Sequence, residues 1–373
     1  MHESNSPLVG CSTELCAKYK TMNEFLDSHQ LDAYLISRHE NIAWATAGRV
    51  DTRVGLLRET GSASLLFTRN RRYYLCSNNE FGRLKSEEFI DLDYEPLVFP
   101  WHAMNPASLI NQHFPTCKLA ADGPNTGFPI LPFGPVRLCL NNYELDRYRW
   151  LGKSVAEIIS ELLPHFVPGM NEQSMQAMVA SRLLDAGILP SVLLIAVDDR
   201  VRNFRHAVAR HQVLRHLGMI NLCARRWGLA ISITRMVYWG TMPAELQDKF
   251  DAVSNVYTHL LYETRVGVSA KDLFRVAQQS YLDRGYSGEE WQHHIGGATG
   301  YWEREWLARP EGREQVMSGM AFAWNPTLQG AKIEDTVVCR DSKIEVLTET
   351  PQLPTAEHRH QGSIYRTSDV LMM

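Results

Sequence analysis

The chain has 373 residues, of which 45% are hydrophobic and 21% charged, with a formal net charge of −4. That balance fits a globular enzyme of two domains; it excludes the basic stripe of a nucleic-acid binder, and no run approaches the ~20 apolar residues that cross a bilayer. Seven cysteines occur without a CxxC pair, which reads as free thiols in a reducing cytoplasm.

The first 15 residues are polar and are expected to fray; they lack the basic region and apolar core of a secretory signal. Leu15, Tyr19, Met22, Phe25 and Leu26 then recur at helical spacing over 14–29. A strand is predicted at 31–37 and a short helix at 41–48 ending on Gly48. Two strands, 62–68 and 71–77, flank a turn at Arg69-Asn70. A helix, a strand, a second helix and a strand ending at Gly123 follow. This alternation predicts a small α/β domain over 1–140, bounded by the Gly/Pro-rich stretch GPNTGFPILPFGPVR.

The second half opens with a long amphipathic helix over 141–166, followed by a helix at 172–186 capped by Asn171 and closed by Gly187. A strand runs into a charged turn and then a loop holding His206 and His211. Two apolar strands joined by RRWG form a hairpin. Helices are expected near 244–264 and 270–284, then a glycine-rich loop, HHIGGATG. The stretch AFAWNPTLQGAKIEDTVV at 321–338 reads as two strands around a turn. It carries Asn325 and Glu334 into an apolar setting. A buried carboxylate left unpaired costs on the order of several kcal/mol, so Glu334 must face a cation, a metal or hydrogen-bond donors. Residues 351–373 read as a polar, mobile tail, and 141–350 as the second domain.

The ordered pieces in the second half, namely the hairpin with Thr234-Arg235, the HHIGGATG loop, the WNP turn and the IEDT strand, resemble the creatinase, aminopeptidase P and methionine aminopeptidase superfamily. The first half is similar to the small domain of creatinase and prolidase. The resemblance implies an α/β (α+β) protein, with a creatinase-type N-terminal domain and a C-terminal pita-bread domain. It also implies two divalent metals held by two Asp, one His and two Glu. Carried onto this chain, the two Asp positions fall on Asn221 and Ser232, and the first Glu falls on Asn325; the last is kept as Glu334. The histidine position falls on Gly297 or, shifted by three, on His294, and a second family histidine falls on Arg304. One carboxylate cannot balance two divalent ions, and neutral Asn and Ser oxygens are weak ligands for transition metals. The expectation is therefore no metal and no cofactor.

Glu334 has two readings. It anchors the cationic part of a substrate, or it forms an internal ion pair with Arg304 or Arg235. Asn221, Ser232 and Asn325 would hydrogen-bond a ligand or be satisfied by backbone. In creatinase, which works without metal, a histidine in the region of His206 serves as general acid and base, so the resemblance gives His206 that role, with His211 and His293 as rivals. Arg205, Arg225, Arg235 and Arg304 are candidate clamps for a substrate carboxylate. His293, His294, Tyr301 and Trp302 are candidate pocket walls, and Glu303 and Glu305 candidate supports for Arg304.

The leading expectation is a metal-independent, creatinase-like hydrolase cleaving a C–N bond in a small zwitterion. Two alternatives stand beside it: a metal-dependent Xaa-Pro aminopeptidase or dipeptidase, and a non-catalytic pita-bread binding module. The expected partners are a small molecule or short peptide and a second copy in a homodimer, with no nucleic acid and no membrane.

Overall fold

A computed structural model of the chain describes residues 7–56, 58–124 and 126–373. Residues 1–6 of the polar start and Asn125 of the Gly/Pro-rich stretch lie outside the described residues. The architecture is mixed α/β. It divides into two compact units. One runs to Arg137 and includes Trp227–Leu229; the other holds Leu138–Arg226 and Ala230–Met373.

In the first unit, α1 (Ser12–Ser28) buries Leu15, Met22, Phe25 and Leu26, the stripe that its three-and-four spacing lays on one face. Then come β1 (Ala33–Arg38), α2 (His39–Ala45), β2 (Thr60–Thr68), β3 (Arg72–Ser77), β4 (Glu95–Phe99), α3 (Pro106–His113) and β5 (Leu119–Ala121). The strands form one sheet in the order β4-β3-β2-β1-β5. The β2–β3 hairpin turns at Arg69-Asn70 as the sequence predicts, with Phe67 opposite Arg72. β1 pairs parallel with β5. Just past β5, the Asp122 carboxylate accepts from the backbone N–H groups of Ser37 and Arg38 at 2.8 and 3.0 Å, fixing the end of β1.

The second unit starts with α4 (Asn142–Leu162), whose N-terminus is closed by a reciprocal pair of bonds between Asn141 and Glu144. The Asn171 side chain caps α5 (Glu172–Asp185), accepting from Ser174 N at 2.9 Å. Strands β6 (Leu189–Val197), β7 (Leu217–Arg226) and β8 (Leu229–Tyr238) lie side by side. Helices α6 (Ala244–Glu263) and α7 (Ala270–Asp283) supply Phe250, Val253, Tyr257, Leu273 and Tyr281 to a core shared with Phe322 and Trp324. The remaining strands are β9 (Gly296–Thr299), β10 (Trp306–Leu307), β11 (Met320–Trp324), β12 (Thr327–Leu328), β13 (Ala331–Lys332), β14 (Asp335–Arg340) and β15 (Lys343–Val346). They build a sheet in the order β10-β9-β11-β14-β15, with β12 and β13 as a small separate ribbon. Ala321 faces Val338 across the antiparallel β11–β14 pair, the two strands expected from AFAWNP and IEDTVV.

Two expectations are corrected. The HHIGGATG stretch is not a loop throughout, because Gly296–Thr299 forms β9 between β10 and β11. Its glycines are there for close backbone approach, since a Cβ on Gly297 would lie 2.0 Å from the Trp306 carbonyl oxygen. The stretch expected as a mobile tail is ordered. β16 (Thr355–His360) and β17 (Ser363–Ser368) form an antiparallel hairpin, and β18 (Leu371–Met372) pairs parallel with the edge of β8. The hairpin alternates exposed with half-buried residues along β16. Its composition is polar for that reason, while its backbone pairs from Thr355↔Ser368 to His360↔Ser363. No helix among the described residues is long and apolar enough to cross a membrane.

Candidate functional site

Alternation along β7 and β8 puts Asn221, Ser232 and Thr234 on one covered face. Glu334 sits in the break between β13 and β14, and its carbonyl accepts from Thr234 N at 3.0 Å. Its side chain is 1% exposed and saturated from within. Oε2 accepts from Asn221 Nδ2 at 2.6 Å and from Thr234 Oγ1 at 2.9 Å, while Oε1 accepts from Arg304 Nη2 at 2.8 Å. Lys332 Nζ lies 3.9 Å from Oε2. Burial pushes the Glu334 carboxyl up. The charges of Lys332 and Arg304 and the hydrogen bonds from Thr234 and Arg304 outweigh it and hold the group below the usual carboxylate range.

The expected cation anchor is thus already taken by two resident cations. Of the two arginines considered as internal partners, Arg304 fills that place. Arg235 pairs instead with Asp335, donating from Nη2 at 2.7 Å, and meets Glu334 at its backbone carbonyl, from Nη1 at 3.2 Å. Asn221 presents its amide N–H groups, not its oxygen, to Glu334 and Thr234. Ser232 Oγ accepts from Arg304 Nη1 at 3.2 Å and lies 3.3 Å from Cys223 Sγ. Asn325, 2% exposed, keeps Oδ1 without a partner among the described residues.

The histidines are brought in by two loops. The loop after β6 carries His206, and buried carboxylates pin both of its ends. Asp198 accepts from the backbone N–H groups of Arg215, His216 and Leu217 at 2.8, 2.9 and 3.0 Å. Glu172 accepts from Val197 N at 3.0 Å and Arg210 N at 2.7 Å. His293 and His294 lead into β9. His206 Nε2 and His293 Nε2 are 3.1 Å apart, and one ring nitrogen from each of the three histidines falls within 4.8 Å of the others. Burial and then the Lys332 charge push His293 down to about 2. Burial and then Arg304 push His294 down to about 4. His206 is lowered by burial and by Lys332. All three are neutral imidazoles near pH 7. A cavity of about 390 Å³, lined by Asn203, Arg205, Glu289, Gln292 and Gln329 among others, includes the chain neighbours of His206 and His293 but not the histidines themselves; its size is in the range of small-ligand sites.

Other candidates lie elsewhere. Tyr301 is fully buried and donates to Glu144 Oε1 at 2.8 Å, so it is core and not a pocket wall. Arg225 pairs with the Glu303 carboxylate, with Nε to Oε1 at 3.0 Å, while the Glu303 backbone carbonyl accepts from Arg304 Nη1 at 2.6 Å, so Glu303 holds both arginines. Glu305 accepts from Trp302 N at 3.2 Å. Arg205 pairs with Glu289 at the cavity wall. His211 is exposed and outside the histidine cluster. Lys332 and Thr234 were missed from the sequence. Lys332 was legible, because residues two apart on a strand share a face, and Lys332 stands two before Glu334.

The paired divalent metals implied by the resemblance do not fit these residues. Three of the four carboxylate positions are neutral, Asn221 turns donors inward, and the Arg304 guanidinium and Lys332 ammonium occupy the space beside the one carboxylate. Two divalent ions would meet two cations and one anion.

A model of metallopeptidase family M24 matches residues 146–341. The Xaa-Pro dipeptidase of Pyrococcus horikoshii is 21% identical over 344 residues, 89% of this chain and 97% of that protein. An uncharacterized peptidase of Staphylococcus epidermidis is 26% identical over 123 residues, 31% of this chain and only 35% of that relative's length. Among solved structures, dipeptidase PepE from Mycobacterium ulcerans superposes with a TM-score of 0.77 at 16% identity, covering 97% of this chain and 99% of that one. The Xaa-Pro dipeptidase from Bacillus anthracis gives 0.74 at 14% identity, covering 96% of this chain and 100% of that one.

Proposed function

The chain belongs to metallopeptidase family M24, and from that premise we propose that it hydrolyses short peptides of the Xaa-Pro type without a paired metal centre. The peptide substrate is the one named for its relatives, Xaa-Pro dipeptidases. The creatinase-like alternative needs Glu334 free to receive a guanidinium, and Arg304 and Lys332 stand against that. The observation that carries the absence of a paired centre is the 2.8 Å Arg304–Glu334 pair, with Lys332 beside the same carboxylate.

In this reading His206 takes the proton from the attacking water. It is exposed, it is uncharged at neutral pH, and its Nε2 lies 3.1 Å from the Nε2 of His293, whose lowered basicity keeps the proton on His206 for delivery to the leaving amine. The cationic side of the cleft, with Arg304 and Lys332 sharing one carboxylate, attracts the anionic end of such a peptide. A homodimer and a cytoplasmic setting belong to the same reading. The free thiols support the second, and sedimentation tests the first.

The deciding assay uses the purified chain with a panel of Xaa-Pro dipeptides and guanidino acids, before and after dialysis against chelator. The expected result is dipeptide cleavage that chelation leaves intact. Cleavage that vanishes on chelation and returns with Mn or Co would overturn the metal-free reading. Turnover of guanidino acids alone would overturn the peptide substrate.

A further inference from the structure

Lys332 is a buried ammonium with an unusual shortage of acceptors. Its side chain is 4% exposed, its nearest carboxylate oxygen is 3.9 Å away, and among the described residues it donates no hydrogen bond. That one oxygen already accepts from Asn221 and Thr234. Around the same carboxylate, Arg304 Nε is buried without an acceptor, and His294 Nδ1 is likewise unpartnered. A buried charged donor left unmet costs on the order of several kcal/mol, so such donors together mark a place where an acceptor from outside belongs. The balance of charge says which kind. Two cations share one carboxylate, and neither imidazole nor amide neighbours add a negative charge. The pocket has changed sign relative to one built for metal ions.

We infer that Lys332, together with Arg304 Nε and His294, binds the carboxylate of a small ligand in the place where the family's residues would hold cations. The ligand is the free carboxyl end of a short peptide or amino acid. In an Xaa-Pro dipeptide the scissile amide nitrogen is two bonds from the terminal carboxyl carbon. Anchoring the carboxylate on Lys332 therefore keeps the scissile bond within reach of the histidine cluster and selects peptides with a free C-terminus. The identity of this carboxylate rests on the proposed peptide substrate; the demand for an anion does not.

The test is equilibrium binding by calorimetry at pH 7 to the full chain. Proline is compared with prolinamide, the same molecule without the negative charge, and with inorganic phosphate and Co²⁺. Proline is expected to bind at least about tenfold more tightly than prolinamide, a gap of about 1.4 kcal/mol. Lys332→Met should abolish that preference and Lys332→Arg should retain it. If Lys332→Met does not fold, the acid-against-amide comparison on the unmodified chain still decides. Equal binding of proline and prolinamide would overturn the inference, as would phosphate binding more tightly than proline. Stoichiometric Co²⁺ binding with the visible bands of an imidazole-ligated ion would also overturn it. Proline binding without any dipeptide cleavage would instead sink the hydrolase reading and leave the carboxylate site standing.

Discussion

Arg304 Nη2 donates to Glu334 Oε1 at 2.8 Å, across a side chain that is 1% exposed on the glutamate side. The guanidinium stands where the resemblance places a family histidine, and the carboxylate is the one ligand position that the chain retains. A resident ion pair thus stands where the resemblance would place a metal centre. Removing one partner leaves the other charge buried alone. Arg304→Met or Glu334→Gln is expected to lower stability by about 3–5 kcal/mol, and the double variant by less than the sum. Urea unfolding of the four proteins measures this, and additive losses would mean that the two groups do not interact.

The two half-buried histidines ahead of β9 set an acid limit. Their folded values are lowered, to about 2 for His293 and about 4 for His294, against 6.5 as the ordinary value. A base kept neutral by folding binds protons more readily when unfolded, so stability falls as pH drops below 6.5 and keeps falling until the folded values are reached. Unfolding midpoints should decline from pH 6.5 to pH 4, and His294→Asn should flatten that decline. A midpoint independent of pH over this window would contradict the neutral-imidazole assignment.

Proton transfer by His206 predicts that His206→Ala lowers kcat by about 10²–10⁴ with little change in KM, while His211→Ala leaves both near the unmodified values. His211 is exposed and outside the cluster. Equal losses for the two variants would point to a general effect of the loop.

If neutral ligands and resident cations together exclude metal, both must be changed to restore it. Asn221→Asp, Ser232→Asp and Asn325→Glu combined with Arg304→Ala and Lys332→Ala should bind Mn²⁺ at least about tenfold more tightly than either set of changes alone. Calorimetry reads this directly. Tight binding by the unmodified chain would refute the electrostatic account.

Gly297 tests the packing beneath the site. It has ordinary strand geometry, but an added Cβ would lie 2.0 Å from the Trp306 carbonyl oxygen and 2.8 Å from Leu307 Cα. Because backbone cannot yield as a side chain can, Gly297→Ala should cost about 3 kcal/mol or more and lower the melting temperature. Gly169→Ala is the comparison: no atom lies within 4 Å of its added Cβ, and its loss should come from its positive φ alone.

Much of the architecture was legible from periodicity. The spacing of Leu145, Tyr148, Leu151 and Val155 on α4, the Asn171 cap on α5 and the Arg69-Asn70 hairpin turn all appear where the sequence places them. These features are local, set by residues within one or two turns of each other. β9 reads as a loop in the sequence because its glycines answer to the carbonyls of Trp306 and Ala323 on the neighbouring strands β10 and β11, a pairing that local propensity does not report. β16, β17 and β18 were read as tail because their hydrogen-bond partners are backbone groups, which composition does not report.

The sequence by itself determined the residue types at the positions that the resemblance picks out, with Asn221, Ser232 and Asn325 neutral and Glu334 the one carboxylate, since side-chain charge is read without coordinates. Only the tertiary structure decided what that carboxylate faces. Arg304, Lys332, Asn221 and Thr234 come from separate strands and loops and meet within a few ångströms of its oxygens. Coulomb energy depends on distance and burial, and neither is written in the order of residues.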